Sequence, residues 1–116
     1  MKVKADKLFK VLNRIRAEMG GEYTPQQLEI LLLCYVRPGI TQTEISQILD
    51  MPQASVSRNC LKLGKKAVKN PQGRFKVVGA GLIQTRQDEV YDSRRYACWL
   101  TEDGTALVEK VLTVSD

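Results

Sequence analysis

Five polar side chains in the stretch Thr41 to Leu63, TQTEISQILDMPQASVSRNCLKL, are of types that meet a partner rather than a core: Gln53, Ser55, Ser57, Arg58 and Lys62. Gln, Ser and Arg carry the donors and acceptors that read base edges in a major groove, and Lys suits phosphate. For these side chains to share an outer face, the chain around them must be helical. Ile45, Ile48 and Leu49 recur at helical spacing, Val56, Cys60 and Leu63 do the same, and Asp50-Met51-Pro52 separates the two sets. Thr41 followed by Glu44 forms a capping box, in which each side chain satisfies the other residue's free backbone N–H. Pro52 opens the second helix, because a first turn has no use for the N–H that proline lacks. Two apolar stripes meeting across a short turn predict a helix-turn-helix. Paired amphipathic helices are common in any helical domain, so the motif by itself leaves DNA binding open against plain core packing.

The distribution of charge favours the first reading. The formal net charge is +5, yet residues 1–50 carry seven Lys/Arg against six Asp/Glu, and residues 88–116 carry three against seven. Residues 51–87 carry eight basic residues and no acid: Arg58, Lys62, Lys65, Lys66, Lys69, Arg74, Lys76 and Arg86. A field localised in this way starts inside the second helix of the motif and attracts a polyanion. The alternative is a solvated loop that happens to be basic.

Other chemistry is narrowed by what the composition lacks. With no histidine, the chain has no His acid–base pair, no Ser-His or Cys-His nucleophile and no His-ligated metal site. The acids are scattered, and no nucleophile–base pair stands out, so no enzyme and no cofactor is expected. Cys34, Cys60 and Cys98 form no CxxC pair. An odd cysteine count without a secretory leader implies reduced thiols and a cytoplasmic location. The longest apolar run, Ile30 to Val36, is too short to span a bilayer. At 116 residues the chain is expected to form one domain.

The remaining elements follow in order. Lys4 to Met19 reads as an amphipathic helix, with Leu8, Leu12, Ile15 and Met19 on one face, Phe9 and Val11 widening it, and Gly20-Gly21 ending it. That face fits either this chain's core or a partner's. Thr24-Pro25-Gln26-Gln27 starts a second helix, and Leu28 to Val36 is apolar nearly all round, as a central buried helix would be. Ile40 is expected to form a single strand rung before the motif. Beyond Leu63, residues 64–79 form a basic segment containing Asn70-Pro71-Gln72-Gly73, which suits a type I turn. It is either a mobile loop or a small hairpin with Phe75 to Val78 as one arm. Gly79-Ala80-Gly81 is no phosphate loop, since no following Lys-Ser/Thr accompanies it.

Leu82 to Arg86 and Tyr96 to Leu100 read as two strands around a polar loop, Gln87 to Arg95, so residues 82–100 form a wing. Asp88, Glu89 and Asp92 share that loop with Arg94 and Arg95. An arginine held at such a tip suits a narrow minor groove, where the negative potential is strongest. The alternative is that the two arginines only balance the neighbouring acids. Trp99 is expected to be core. Thr101 to Gly104 starts a last helix within residues 101–113, with Leu107, Val108, Val111 and Leu112 as its apolar face.

This order of pieces resembles the MarR family of winged helix-turn-helix transcription regulators. The resemblance covers about Thr24 to Leu112 and is densest at Pro38 to Ile45, at Val56-Ser57-Arg58, and at Gly81-Leu82-Ile83 with Asp92-Ser93-Arg94-Arg95 and Leu100 to Gly104. It implies a mainly α fold with a small β-hairpin, in which residues 41–63 are the helix-turn-helix. It also implies that Gln53, Ser55, Ser57 and Arg58 lie where the family reads the major groove, and that Arg94 or Arg95 enters the minor groove. Lys62, Lys65 and Lys66 add phosphate contacts. The partner is then double-stranded DNA, and the state a homodimer.

Three positions depart from the family's pattern: Asp50 replaces a usual glycine, Asn59 a usual apolar residue, and residues 64–79 resemble an insertion of phage or mobile-element type. The family's long final helix is missing, which leaves residues 1–23 and Thr105 to Leu112 as the candidate dimer interface. Relatives of this kind often respond to small molecules or oxidants, and Cys60 sits inside the second helix of the motif. A buried structural thiol is the alternative. The competing function is a winged-helix protein–protein adaptor in a phage or replication assembly, which would not require eight uninterrupted basic charges. RNA binding lacks support from any aromatic stacking pattern.

Overall fold

The computed structural model describes residues 4–20, 23–87 and 95–113. Among the described residues, five helices surround one core, in the order α1 Ala5–Met19, α2 Pro25–Val36, α3 Gln42–Leu49, α4 Gln53–Leu63 and α5 Glu102–Leu112. The strands are β1 Ile40–Thr41, β2 Lys66–Lys69, β3 Phe75–Val78, β4 Ile83–Gln87 and β5 Tyr96–Leu100. They make two antiparallel sheets, one ordered β1-β5-β4 and the other a separate ribbon of β2 and β3. The fold is therefore mainly α with a β-hairpin wing, as expected.

The caps are where local sequence places them. Thr24 and Gln27 bond reciprocally at the start of α2, and Thr41 and Glu44 do so at the start of α3. Thr101 accepts from the Gly104 N–H at the start of α5. The core is drawn from every layer: Ile15 of α1, Ile30 and Leu31 of α2, Ile45 of α3, Val56 and Leu63 of α4, Ile83 of β4, and Val108 and Val111 of α5. One expectation needs correction, and one open choice is narrowed. The last turn of α2 leaves the core, with Tyr35 and Val36 exposed, because the chain must turn outward there to reach β1. Only Ile15 of α1 is fully buried, while Leu8, Phe9 and Leu12 face outward.

One backbone junction joins the second half of the molecule. The Leu82 N–H donates to the Leu63 carbonyl at 2.7 Å, and the Leu82 carbonyl accepts from the Thr101 N–H at 2.9 Å. The Thr101 hydroxyl donates to the Gly81 carbonyl at 2.6 Å. Leu82 thus ties the end of α4 to the start of α5 just before β4 begins. Gly104 makes the approach possible, since a Cβ there would stand 1.9 Å from the Leu82 carbonyl oxygen.

Cysteines remote in sequence meet beneath α4. Cys34 of α2, Cys60 of α4 and Cys98 of β5 are free thiols and all buried. Cys34 and Cys60 interact with the Cys98 sulfur, which together with burial holds both thiols far above the ordinary range. The same two neighbours draw Cys98 the other way. Thr85 Oγ1 lies 3.7 Å from Cys98 Sγ.

Two outcomes follow from this packing. Gly104→Ala is expected to destabilise the fold by about 3 kcal/mol, at the upper end of overpacking costs, and to lower Tm by more than about 10 °C in a thermal melt. An Ala variant as stable as the parent would mean that α5 can slide away from Leu82. In a thiol titration with an aromatic disulfide reagent, the native protein is expected to react only as fast as it opens, and all three thiols at once in guanidinium. Rapid labelling of Cys60 in the native state would place that sulfur at the surface.

Candidate nucleic-acid interface

The α3–α4 pair is held by polar contacts at both of its ends. Glu44 Oε1 accepts from the Thr41 N–H at 3.1 Å and from the Thr41 hydroxyl at 2.9 Å. Its Oε2 accepts from Arg37 Nη2 at 2.6 Å. Asp50 then adopts the left-handed conformation, φ 52° and ψ 51°. Asp is among the few residues besides glycine that tolerate it, so the replacement of the usual glycine keeps the turn. The Met51 N–H donates to the Ser46 carbonyl at 3.0 Å, and the Ser46 hydroxyl returns a bond to the Met51 carbonyl. Asn59 Nδ2 donates to the Ser55 carbonyl at 2.9 Å, so this polar residue satisfies itself along its own helix.

Val56, Cys60 and Leu63 are buried, which turns the opposite side of α4 outward. Gln53, Arg58 and Lys62 are exposed on it. Ser55 is half-buried and accepts from Arg58 Nη2 at 3.3 Å. Ser57 is also half-buried and faces sideways into a groove of about 790 Å³ between α4 and the β4–β5 sheet. Cys60, Leu61, Lys65, Gln84, Thr85 and Tyr96 line the same groove. Gln42 of α3 and Glu102 and Asp103 at the start of α5 also line it. Lys65 thus brings a cation to the groove, and Glu102 and Asp103 bring two carboxylates.

Leu61 is a groove-lining residue that the apolar pattern did not disclose. It is 52% exposed, one turn from Ser57 on the outward side of α4. Its signal was an apolar residue out of phase with Val56, Cys60 and Leu63. The Lys65 stem lies against Gly81, where an added Cβ would meet Lys65 Cε at 2.5 Å. Lys66 is placed by its backbone alone, opposite Val78.

The wing rises beside α4. Ile83 pairs with Leu100, Thr85 with Cys98 and Gln87 with Tyr96, so the sheet becomes more polar toward its tip. Arg86 sits over the Trp99 ring at 5.5 Å and is therefore engaged on the sheet. The indole also lies against Gly39, which leaves Trp99 partly buried and no open stacking platform. Arg95 is exposed at the foot of β5. Arg94, with Asp88, Glu89 and Asp92, lies outside the described residues.

Glu44 gives the frame a pH signature. The backbone N–H of Thr41, then its hydroxyl, then Arg37, hold the Glu44 carboxyl below the usual carboxylate range. A depressed native pKa contributes stability above the unfolded value and loses it as pH falls through the native value. The wild-type Tm is therefore expected to fall more steeply than that of Glu44→Gln below about pH 5, since Gln keeps the capping box without the titration. Parallel profiles would mean that the carboxylate charge adds nothing to the cap.

No family model and no curated protein matches the chain, whereas solved structures do. The S. aureus MepR–DNA complex aligns with a TM-score of 0.68 and 22% identity, covering 94% of this chain and 76% of that one. A MarR transcriptional regulator from Methanosarcina mazei Go1 aligns at 0.64 and 22% identity, covering 90% of this chain and 62% of the other. The crystal structure of MarR aligns at 0.60 and 22% identity, with 95% and 74% covered. The present chain therefore spans less than two thirds of the Methanosarcina protein and about three quarters of the other two. At this level of identity the likeness is one of architecture: the chain has the winged helix-turn-helix fold seen in MarR regulators.

Proposed function

We propose that this protein is a sequence-specific double-stranded DNA-binding regulator of transcription, a binding protein and not an enzyme, which acts in the cytoplasm by occupying an operator. The observation that carries this reading is the outward face of α4. Gln53, Arg58 and Lys62 stand exposed on a helix packed from behind through Val56, Cys60 and Leu63, within a stretch free of acidic residues from 51 to 87. The solved structures that share its fold include a protein–DNA complex. Among the described residues, no helix is long and apolar enough to cross a membrane, and no group of acids and cysteines is placed to hold a metal.

In this reading α4 lies in a major groove. Arg58 reads a guanine edge and Gln53 an adenine edge, as their bidentate geometry allows. Ser55 orients the Arg58 guanidinium. Leu61 offers apolar contact to a thymine methyl. Ser57 stands at the border of the major groove and the wing, while Lys62, Lys65 and Lys66 take phosphates. Arg94 or Arg95 enters the minor groove beside the wing. No cofactor is required.

The reading includes a two-fold dimer. Leu8, Phe9 and Leu12 of α1 are exposed, as is Leu112 of α5, the helix against which α1 packs. Joining two copies through this surface would present two α4 helices to successive major grooves of a palindromic site.

Fluorescence anisotropy on labelled duplexes across a salt series tests the proposal. A preference of ~10³-fold or more for a selected operator over random DNA is expected at physiological salt. Arg58→Ala is expected to cost about 1–3 kcal/mol on the operator and to relax specificity. Lys65→Ala and Lys66→Ala are expected to weaken all duplexes alike and to reduce the salt slope by about one each. Equal losses from Arg58→Ala on operator and random DNA would remove base reading from that residue. Uniformly weak binding that vanishes with salt would leave only nonspecific electrostatics.

A further inference from the structure

The ribbon of β2 and β3 is not used by the reading above beyond Lys65 and Lys66 at its root. Its register pairs Lys66 with Val78, Ala67 with Val77, Val68 with Lys76 and Lys69 with Phe75. The turn between the strands is ordered by Asn70, whose Oδ1 accepts from the Gln72 and Arg74 N–H groups at 3.1 and 2.9 Å. The ribbon stands away from the core: Phe75 is 74% exposed and Val77 63%. The radius of gyration is 15.5 Å, against about 13 Å for a compact domain of this size. An isolated two-stranded ribbon is marginal in water, and an exposed apolar one is an aggregation hazard. Something is needed to cover it.

The root fixes where the ribbon leaves the molecule. The Ala80 N–H donates to the Lys62 carbonyl at 3.0 Å, and the Gly81 N–H donates to the Gly64 carbonyl at 3.1 Å. Gly79 has φ +106°, and a Cβ there would stand 2.0 Å from the Gly64 carbonyl oxygen. The ribbon therefore begins and ends at the C-terminal end of α4. In a helix-turn-helix the N-terminal part of the recognition helix meets the bases, so its far end climbs toward the phosphates that border the groove.

We infer that the β2–β3 ribbon is a second DNA-contacting arm, which grips the duplex backbone beside the operator with Lys69, Arg74 and Lys76. This inference rests on α4 being the recognition helix. Charge chooses the occupant. Residues 65–79 carry Lys65, Lys66, Lys69, Arg74 and Lys76 with no acid, and lysine is depleted at the cores of protein–protein interfaces. The apolar residues are interleaved with cations across the strands, Phe75 beside Lys69 and Val68 beside Lys76. By register, one face alternates Lys66 and Lys76 with Val78 and Val68, and on the other Lys69 stands beside the small apolar set Ala67, Val77 and Phe75, so each face presents a cation next to its apolar residues. A two-stranded ribbon is also a shape that a DNA groove admits. Four-residue strands and their turn reach roughly 15–20 Å at about 3.4 Å per residue, which is roughly five base pairs beyond the end of α4. Phe75 and Val77 then cover sugar edges while the cations hold phosphates.

The test uses the full chain and two duplexes, one limited to the selected operator and one extended by about ten base pairs on each side. The wild type is expected to bind the extended duplex more tightly and with a steeper salt slope. Lys69→Gln/Arg74→Gln/Lys76→Gln is expected to lose about two to three from that slope, at ~0.9 per phosphate contact, and to match the wild type on the short duplex. Phe75→Ser is expected to weaken the extended duplex without changing the slope. A triple variant with unaltered slope and affinity on the extended duplex overturns the inference. So does a triple variant changed only in self-association by sedimentation velocity, which would make the ribbon a protein contact. Arg58→Ala separates the two readings. If it leaves operator preference intact while the triple variant loses slope, the arm's phosphate contacts stand and base reading by Arg58 falls.

Discussion

The amide of Leu82 is the constraint on which the binding face depends. Its N–H is spent on the end of α4 and its carbonyl on the start of α5, with Gly104 pressed against that carbonyl. These are backbone contacts, so they set the position of the wing relative to α4 without involving any side chain that faces outward. Buried backbone groups of this kind are costly to leave unpaired. The frame therefore resists movement, while the outer face of α4 is free to vary in what it recognises.

The same junction accounts for the two projections that flank α4. The wing leaves it through β4, and the β2–β3 ribbon leaves and returns through Gly64 and Gly79 to Gly81. Both follow from how closely the chain passes itself there, which is why small residues gather at that point. In the proposed reading, a helix flanked by two such projections has a footprint wider than the helix alone. Glu102 and Asp103 at the start of α5 line the groove beside α4, and their charge would repel a polyanion there.

Behind α4 the chemistry is quieter. Cys60 reaches the floor of the groove, yet it is buried, and its proton is held by burial and by Cys98. A thiol kept protonated is a poor nucleophile, so its first role here is to fill space on the inner side of α4. At the opposite end, Glu44 and Arg37 hold the start of α3, and Asp50 supplies the left-handed residue between α3 and α4. The pair is therefore fixed at its start, at its turn and at its exit.

What could be read along the chain was local. Capping boxes at Thr24 and Thr41, the 3.6-residue stripes of α1, α3, α4 and α5, the strand rung at Ile40 and the strands of the wing all depend on residues a few positions apart, and their periods are written in the order of side chains. The choice between loop and hairpin for residues 64–79 stayed open, since a turn signal does not say whether its flanks pair. The emergence of the last turn of α2, the sideways aim of Ser57 and the exposure of Leu61 also escaped, because helical spacing gives a face but not its neighbour. The meeting of Cys34, Cys60 and Cys98, the seat of Arg86 on Trp99 and the approach of Gly104 to Leu82 join residues brought together only by sheet register and helix crossing. The sequence by itself determined the helix-turn-helix, its caps and the acid-free stretch that follows. Tertiary packing alone decided which of those polar side chains face outward, because exposure depends on what the rest of the chain places against each one.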